Sequence, residues 1–376
     1  MFFKNARIFT SDFRFELGAF EVKDGKFGAV LPVNVPEDAV DLGGATVIPG
    51  LVDVHSHGNS GFDFSDGDYD GLVQMARYYA ANGITTFAPT SMTLPYETLA
   101  AAFATARRLV DEQNEGCARL LGIHMEGPYF CYAKKGAQNG DYLKNPDFEG
   151  FQKLNEDCGN LVKIVDLAPE LPGSVEFIQQ AKKLSTVSIA HTNANYVHAK
   201  AAIDAGVTHL THLFNAMPVI NHREPGVIPA AVENPNVRAE IICDGQHIHP
   251  SSIRLAFTMF GGDRMILVSD SGRCCGLPDG TQFELGGQQA WLRDGVARLA
   301  DGTIACSAAN LYQCMVNAMS FGISEEDAVR AATYNPACSL GAESRVGSIR
   351  EGMMADFLVC SHDYSQKRVF LGGKEL

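Results

Sequence analysis

The chain changes its hydrophobic rhythm at Pro49-Gly50. Before that point apolar and polar residues alternate through Lys4–Thr10 and Phe15–Val22, and Lys26–Leu31 returns after Asp24-Gly25, a dipeptide suited to a tight hairpin turn. Antiparallel strands are expected there. After Pro49-Gly50, short apolar runs alternate with segments of helical period, the texture of parallel strands covered by crossover helices. Eight runs are predicted as strands: Leu51–Val54, Thr85–Ala88, Leu120–His124, Val162–Leu167, Val187–Ala190, His209–Thr211, Ala239–Cys243 and Met265–Ser269. Helices are predicted between them, among them Leu72–Asn82, Tyr96–Gln113, Val175–Leu184, Val197–Ala205 and Ser251–Phe260, with Leu311–Phe321 and Glu325–Thr333 closing the series. Eight strand–helix units predict an α/β protein built on a (β/α)8, TIM-like barrel. From Val346 the pattern turns β-like again, with strands over Asp356–Cys360 and Arg368–Leu371 and a turn at Gly372-Gly373. The expected organisation is a barrel over 50–345 and a small β-sandwich domain formed jointly by 1–49 and 346–376.

In such a barrel, chemistry belongs at the carboxyl ends of the strands. The first predicted strand runs into His55-x-His57, whose imidazoles face the same side if the chain stays extended. The third reaches His124 and Glu126, the fifth His191, the sixth His212, the seventh Asp244 and His247, and the eighth Asp270. Each alone reads as a polar residue closing a buried strand. Together they place imidazoles and carboxylates on one rim, a donor set that suits Zn²⁺, Fe²⁺, Co²⁺ or Ni²⁺. Glu126, His191 and His212 would leave a coordination position open, the mark of a catalytic ion that acidifies water and polarises a carbonyl. Asp270 fits as the residue that deprotonates that water and passes the proton on. His55 and His57 would hold a second ion, bridged by Glu126, or line the pocket; their spacing does not decide between one ion and two.

Bulk properties narrow the partners. A formal net charge of −14 argues against nucleic acid or an anionic membrane, while leaving a small substrate open. The ten cysteines include no CxxC pair, the amino end lacks the apolar run of a signal peptide, and no stretch is long and apolar enough to span a bilayer. Free thiols in a reducing cytoplasm are expected.

The motifs PGLVDVHSHG, HMEGP, AHTNA, THLFNAMP, ICDGQHIHP and LVSDS resemble, in this order, those of the N-acetylglucosamine-6-phosphate deacetylases of the amidohydrolase superfamily. GSIREGMMADFLV is similar to that superfamily's return into its β-sandwich domain. HxH is common to the superfamily; HMEGP with THLFNAMP and REPG is much narrower. The resemblance implies metal-dependent hydrolysis of N-acetyl-D-glucosamine 6-phosphate to D-glucosamine 6-phosphate and acetate. It implies Glu126, His191 and His212 as metal ligands, zinc as the leading ion, and Asp270 as the catalytic acid and base. Both His55 and His57 are present, which favours a binuclear site. Asn215 and Ala216 would offer backbone N–H groups to the phosphate, and Arg223 would reach it from the neighbouring subunit of a homodimer. His247 matches a substrate-contacting histidine, and Ala137 and Gln138 match a sugar-contacting loop. Some members carry His where Gln138 stands, and an amide cannot supply a cation there. Ser307-Ala308-Ala309 resembles a loop closing over the sugar, with Ala308 the expected contact.

Three alternatives bear on this reading. An N-acetylgalactosamine-6-phosphate deacetylase would use nearly the same site. A cyclic-amide hydrolase is disfavoured because VKIVDLAPE offers no lysine at the end of the fourth strand. A non-catalytic scaffold is disfavoured because every ligand and the catalytic acid are present.

Overall fold

The computed structural model describes residues 1–112, 114–285 and 288–376. Parallel strands Leu51–Ser56, Ile84–Ser91, Ile123–Tyr129, Val162–Leu167, Thr186–Ile189, His209–Leu210, Arg238–Ile242 and Met265–Val268 follow one another in the order expected of a (β/α)8 barrel. Each is hydrogen-bonded to the next, from Leu51 opposite Ile84 round to Ile242 opposite Val268. Between the eighth strand and the first, closure runs through the Asp270 N–H, which donates to the His55 carbonyl at 2.9 Å, and the Ser269 hydroxyl, which donates to Asp53 at 2.6 Å.

The third strand is displaced from its predicted position. Arg119–Leu120 pairs separately with the second strand, and the main strand continues through the Gly-Pro of HMEGPY to Tyr129. Its ladder partners in the second and fourth strands override the breaker residues. Gly127 has φ 91°, and a Cβ there would meet Thr93 Oγ1 at 2.2 Å. The turn after Glu126 therefore requires glycine.

Helices Tyr69–Ala81, Ser174–Ala181, Tyr196–Ala205, Pro250–Phe260, Leu311–Ser320 and Glu325–Ala332 lie close to the predicted ranges. The helix beginning at Tyr96 is described to Glu112, and its predicted last residue, Gln113, lies outside the described residues. The main apolar cluster, including Phe87, Phe103, Phe151, Phe177 and Phe260, joins residues of the strands to residues of the helices.

Strands from the two chain ends meet in one eight-stranded sheet, Phe357–Cys360 pairing antiparallel with Thr46–Pro49. Asp24 and Gly25 (φ 52° and 74°) make the hairpin turn between Phe15–Lys23 and Lys26–Val30. Two ion pairs among the described residues tie this sheet to the barrel. Arg7 grips Glu325 through two 2.6 Å bonds, and Arg119 grips buried Asp356 through two of 3.0 Å. All ten cysteines are free thiols.

One element was not anticipated. After the eighth barrel strand, Gln282–Leu285, Gln288–Arg293, Val296–Leu299 and Ile304–Ser307 form a separate four-stranded antiparallel sheet. Its last strand bridges to Ser271, beside the end of the eighth barrel strand.

Candidate active site

The strand ends converge. His55 is fully buried and His57 nearly so, and their Nε2 atoms lie 3.5 and 3.4 Å from Asp270 Oδ1. Glu126 stands between the groups: its Oε2 is 3.2 Å from His57 Nε2, and its Oε1 is 3.1 Å from Nε2 of both His191 and His212. Those two Nε2 atoms are also 3.1 Å apart.

An ion held between these groups would account for this crowding. His57 and His191 each give their Nδ1–H to a backbone carbonyl, Thr90 at 3.1 Å and Lys134 at 2.8 Å. Their Nε2 atoms are thereby left as inward-pointing lone pairs when the rings are neutral. Electrostatics agree. Burial works against charge on Glu126, yet hydrogen bonds from His191, His212 and His57 hold its carboxyl well below the usual range. Burial likewise disfavours an imidazolium at His212, but Glu126, Asp270 and Glu240 push it up to about 9, and Asp270 and Glu126 raise His57 well above its ordinary value. The carboxylates demand positive charge at this spot. The donor set fits a divalent metal ion at Glu126–His191–His212 and at His55–His57–Glu126.

Asp270 is held anionic as well: burial raises it, but His55, His57 and His212 outweigh burial and lower it. Its backbone is left-handed, φ 46°, as are those of His191 (41°) and His212 (32°). The last strand of the separate sheet supports it, Ser307 N–H donating to the Asp270 carbonyl at 2.9 Å.

These groups open onto a cavity of about 330 Å³, whose walls include Ala137, Gln138, Asn215, Ala216 and His247. His247 gives Nδ1–H to Asp244 at 2.6 Å, so its Nε2 is the nitrogen left to meet a ligand. The Gln138 amide is buried and committed: it donates to Glu126 Oε2 at 2.9 Å and accepts from the Thr93 N–H at 2.8 Å. The Asn215 N–H is occupied too, donating to the His212 carbonyl at 3.0 Å, whereas the Ala216 N–H has no protein acceptor among the described residues. Ala308 does not line the cavity; Thr303, and Ile304 and Ala305 of the separate sheet, do. Arg223 is exposed and lies outside the cavity of its own chain.

Lys134 is a residue that sequence reasoning passed over. It is the one Lys or Arg on the cavity wall among the described residues, with Nζ donating to the Met217 carbonyl at 3.1 Å. Its only sequence signal is a pair of lysines shortly after HMEGP.

A parallel barrel with a histidine–carboxylate cluster at its carboxyl rim, joined to a sheet from both chain ends, defines a class of metal-dependent hydrolases. Residues 46–376 match the Amidohydrolase family, and the chain belongs to it. It is 34% identical over 374 residues to the N-acetylglucosamine-6-phosphate deacetylase of Bacillus subtilis (strain 168), covering 96% of this chain and 93% of that one. It is 28% identical to the N-acetylgalactosamine-6-phosphate deacetylase of Escherichia coli O157:H7, covering 98% and 97%. Among solved structures, it superposes with TM-score 0.92 and 31% identity on a mutant N-acetyl-D-glucosamine-6-phosphate deacetylase from Mycobacterium smegmatis in complex with N-acetyl-D-glucosamine-6-phosphate, covering 100% of this chain and 98% of that one.

Proposed function

We propose that the protein hydrolyses the acetamide of N-acetyl-D-glucosamine 6-phosphate, releasing acetate and D-glucosamine 6-phosphate. The observation that carries this reading is the convergence of Glu126, His191, His212 and anionic Asp270 on a cavity whose wall also holds a lysine. Glu126, His191 and His212 would hold one divalent ion, and His55 and His57, with Glu126, would hold a second. Zinc is our assignment, with Fe²⁺, Co²⁺ or Ni²⁺ as substitutes. The metal, when bound, contributes Lewis acidity toward the amide carbonyl and brings the pKa of water toward about 7. Asp270 takes the proton from the attacking water and delivers it to the amide nitrogen as the C–N bond breaks. Gln138 keeps Glu126 oriented. His247 offers Nε2 to the sugar, while Lys134 and the Ala216 N–H face the phosphate, with Arg223 of a second subunit completing its recognition in a homodimer. Thr303–Ala305 screen the reacting group from bulk water.

We read residues 50–345 as the catalytic unit and the two terminal segments as its companion domain, working in the cytoplasm. No helix among the described residues is long and apolar enough to cross a membrane. Acetate release measured on N-acetylglucosamine 6-phosphate, its galacto epimer and the unphosphorylated sugar, with metal content taken on the same sample, tests the reading. Metal-loaded protein inert toward all three overturns the reaction. A higher kcat/KM on the galacto epimer overturns the sugar assignment.

A further inference from the structure

Glu240 lies midway along the seventh barrel strand, fully buried, and takes no part in the proposed reaction. Its carboxylate accepts three hydrogen bonds. One comes from His55 Nδ1 at 2.8 Å, one from His209 Nε2 at 3.0 Å, and one from the His212 backbone N–H at 3.1 Å. No lysine or arginine pairs with it among the described residues.

Proton positions follow from this arrangement. An ionised carboxylate only accepts, so both rings must present N–H to it. His209 therefore has Nδ1 free to accept from the Ser339 hydroxyl, which lies 3.2 Å away. His55 must carry its proton on Nδ1, leaving Nε2 as a lone pair when the ring is neutral. That Nε2 is buried without a hydrogen-bond partner, and it faces Asp270 Oδ1 at 3.5 Å and Glu126 Oε1 at 3.8 Å. His57 and His191 obtain the same tautomer from backbone carbonyls, which no side-chain substitution removes. Of these three, only His55 has a tautomer that depends on a replaceable group.

We propose that Glu240 is a positioning residue that fixes the Nδ1–H tautomer of His55, and so decides whether His55 and His57 hold an ion. This rests on the metal reading above. Replacing the carboxylate by an amide of nearly equal size leaves one oxygen for three donors. One oxygen, Oε2, accepts from both His55 and the His212 N–H, and that N–H cannot face an NH₂, so Glu240→Gln keeps its oxygen there and turns its NH₂ toward His209. Glu240→Met removes the acceptor altogether, which frees the His55 proton to move to Nε2 and block the ligand position. The loss of metal affinity expected from such an outer partner is 10–100-fold.

The test begins with ¹⁵N-histidine NMR of metal-free wild-type protein at a pH where His55 is neutral, with the resonance assigned by His55→Gln. A protonated Nδ1 supports the proposal, and a protonated Nε2 overturns it even if Glu240→Met fails to fold. Glu240→Gln should keep tautomer and affinity; in folded Glu240→Met the tautomer should change and the ion that depends on His55 should weaken 10–100-fold in competition with a chelator. The effect of Glu240→Met should not add to that of His55→Gln in the double variant. Unchanged tautomer and affinity in Glu240→Met, or simple additivity, would show a structural role only. Neither readout uses turnover, so a protein inert toward acetylated sugars would refute the reaction and leave this inference standing.

Discussion

Asp270→Asn isolates the proton-transfer role, because the structure makes asparagine almost free of other consequences. The residue sits at φ 46°, a left-handed conformation that Asp and Asn tolerate better than other non-glycine residues. Its backbone is pinned on both sides, N–H to the His55 carbonyl and carbonyl to the Ser307 N–H, each at 2.9 Å, and neither bond involves the side chain. What changes is that an anionic acceptor, held ionised by His55, His57 and His212 against the effect of burial, becomes an amide unable to take a proton. A positioned general acid–base is worth about 10²–10⁴-fold. At about 1.4 kcal/mol per decade, that is roughly 3–5 kcal/mol of barrier. Acetate release should therefore show kcat lower by two to four decades. At least one ion should stay bound, since Glu126, His191 and His212 are untouched, and the melting temperature should stay within about 3 °C. Asp270→Ala should melt lower than Asp270→Asn, because alanine lacks the local polar compensation for a left-handed backbone. A kcat within tenfold of wild type, with metal content unchanged, would remove Asp270 from the proton path. Loss of all metal would make it a ligand instead.

Other consequences are as open to measurement. Lys134→Met should raise KM for the phosphorylated sugar about 10–100-fold, with Lys134→Arg recovering much of it and the unphosphorylated sugar indifferent; equal effects on both sugars would deny the phosphate contact. Arg223→Ala should raise KM without altering metal content, and an unchanged KM would end its assignment to phosphate. Asp356→Ala strips partners from Arg119 and from the Gly372 N–H (2.7 Å) at a carboxylate that is only 3% exposed. Because the arginine is 36% exposed, we expect a loss of roughly 2–3 kcal/mol in urea denaturation rather than a fully buried pair's 3–5, and under 1 kcal/mol would contradict it. Glu325 is held below the usual carboxylate range, Arg7 and Tyr364 outweighing burial. A depressed acid contributes stability above its unfolded pKa, about 4.3, and loses it as pH falls toward its folded value. Glu325→Gln should thus show a shallower fall in stability below about pH 4.3 than wild type, and parallel curves would exclude the contribution.

The barrel was legible because parallel strands buried on both faces leave unbroken apolar runs, as in Ile164-Val165 and Met265–Val268. The rim was legible because polar residues ending such runs are costly unless they have work to do. Two things were not. The four strands of the separate sheet are short and mix buried with partly or fully exposed residues, so they leave no clean apolar run, although Asp294-Gly295 (φ 53° and 77°) is a hairpin signal. The polar interior was the other. Asp53, Asp166 and Glu240 interrupt apolar strands, and hydrophobic pattern cannot tell a carboxylate that accepts from buried histidines from one that faces water. Gln138 falls between these cases: the resemblance singled out its position, but its commitment to Glu126 and Thr93 depends on contacts distant in sequence.

The rim also shows how a stable barrel is turned into a site. His191, His212 and Asp270 all adopt left-handed backbones, a strain on the order of 1–3 kcal/mol apiece that persists only where surroundings over-determine it. They do. The carbonyl of each strained residue is tied down, His191 by the Cys131 N–H, His212 by the Asn215 N–H and Asp270 by the Ser307 N–H, at 3.0, 3.0 and 2.9 Å. Each tie comes from the chain beyond a rim position: the loop after HMEGP, the turn of THLFNAMP and the edge of the separate sheet. The bond that uses up the Asn215 N–H is therefore the one that holds His212 in place, which is why Asn215 cannot also give that group to phosphate. Ring nitrogens and the Asp270 carboxylate are aimed before an ion or substrate arrives, and folding, rather than binding, meets the cost of aiming them.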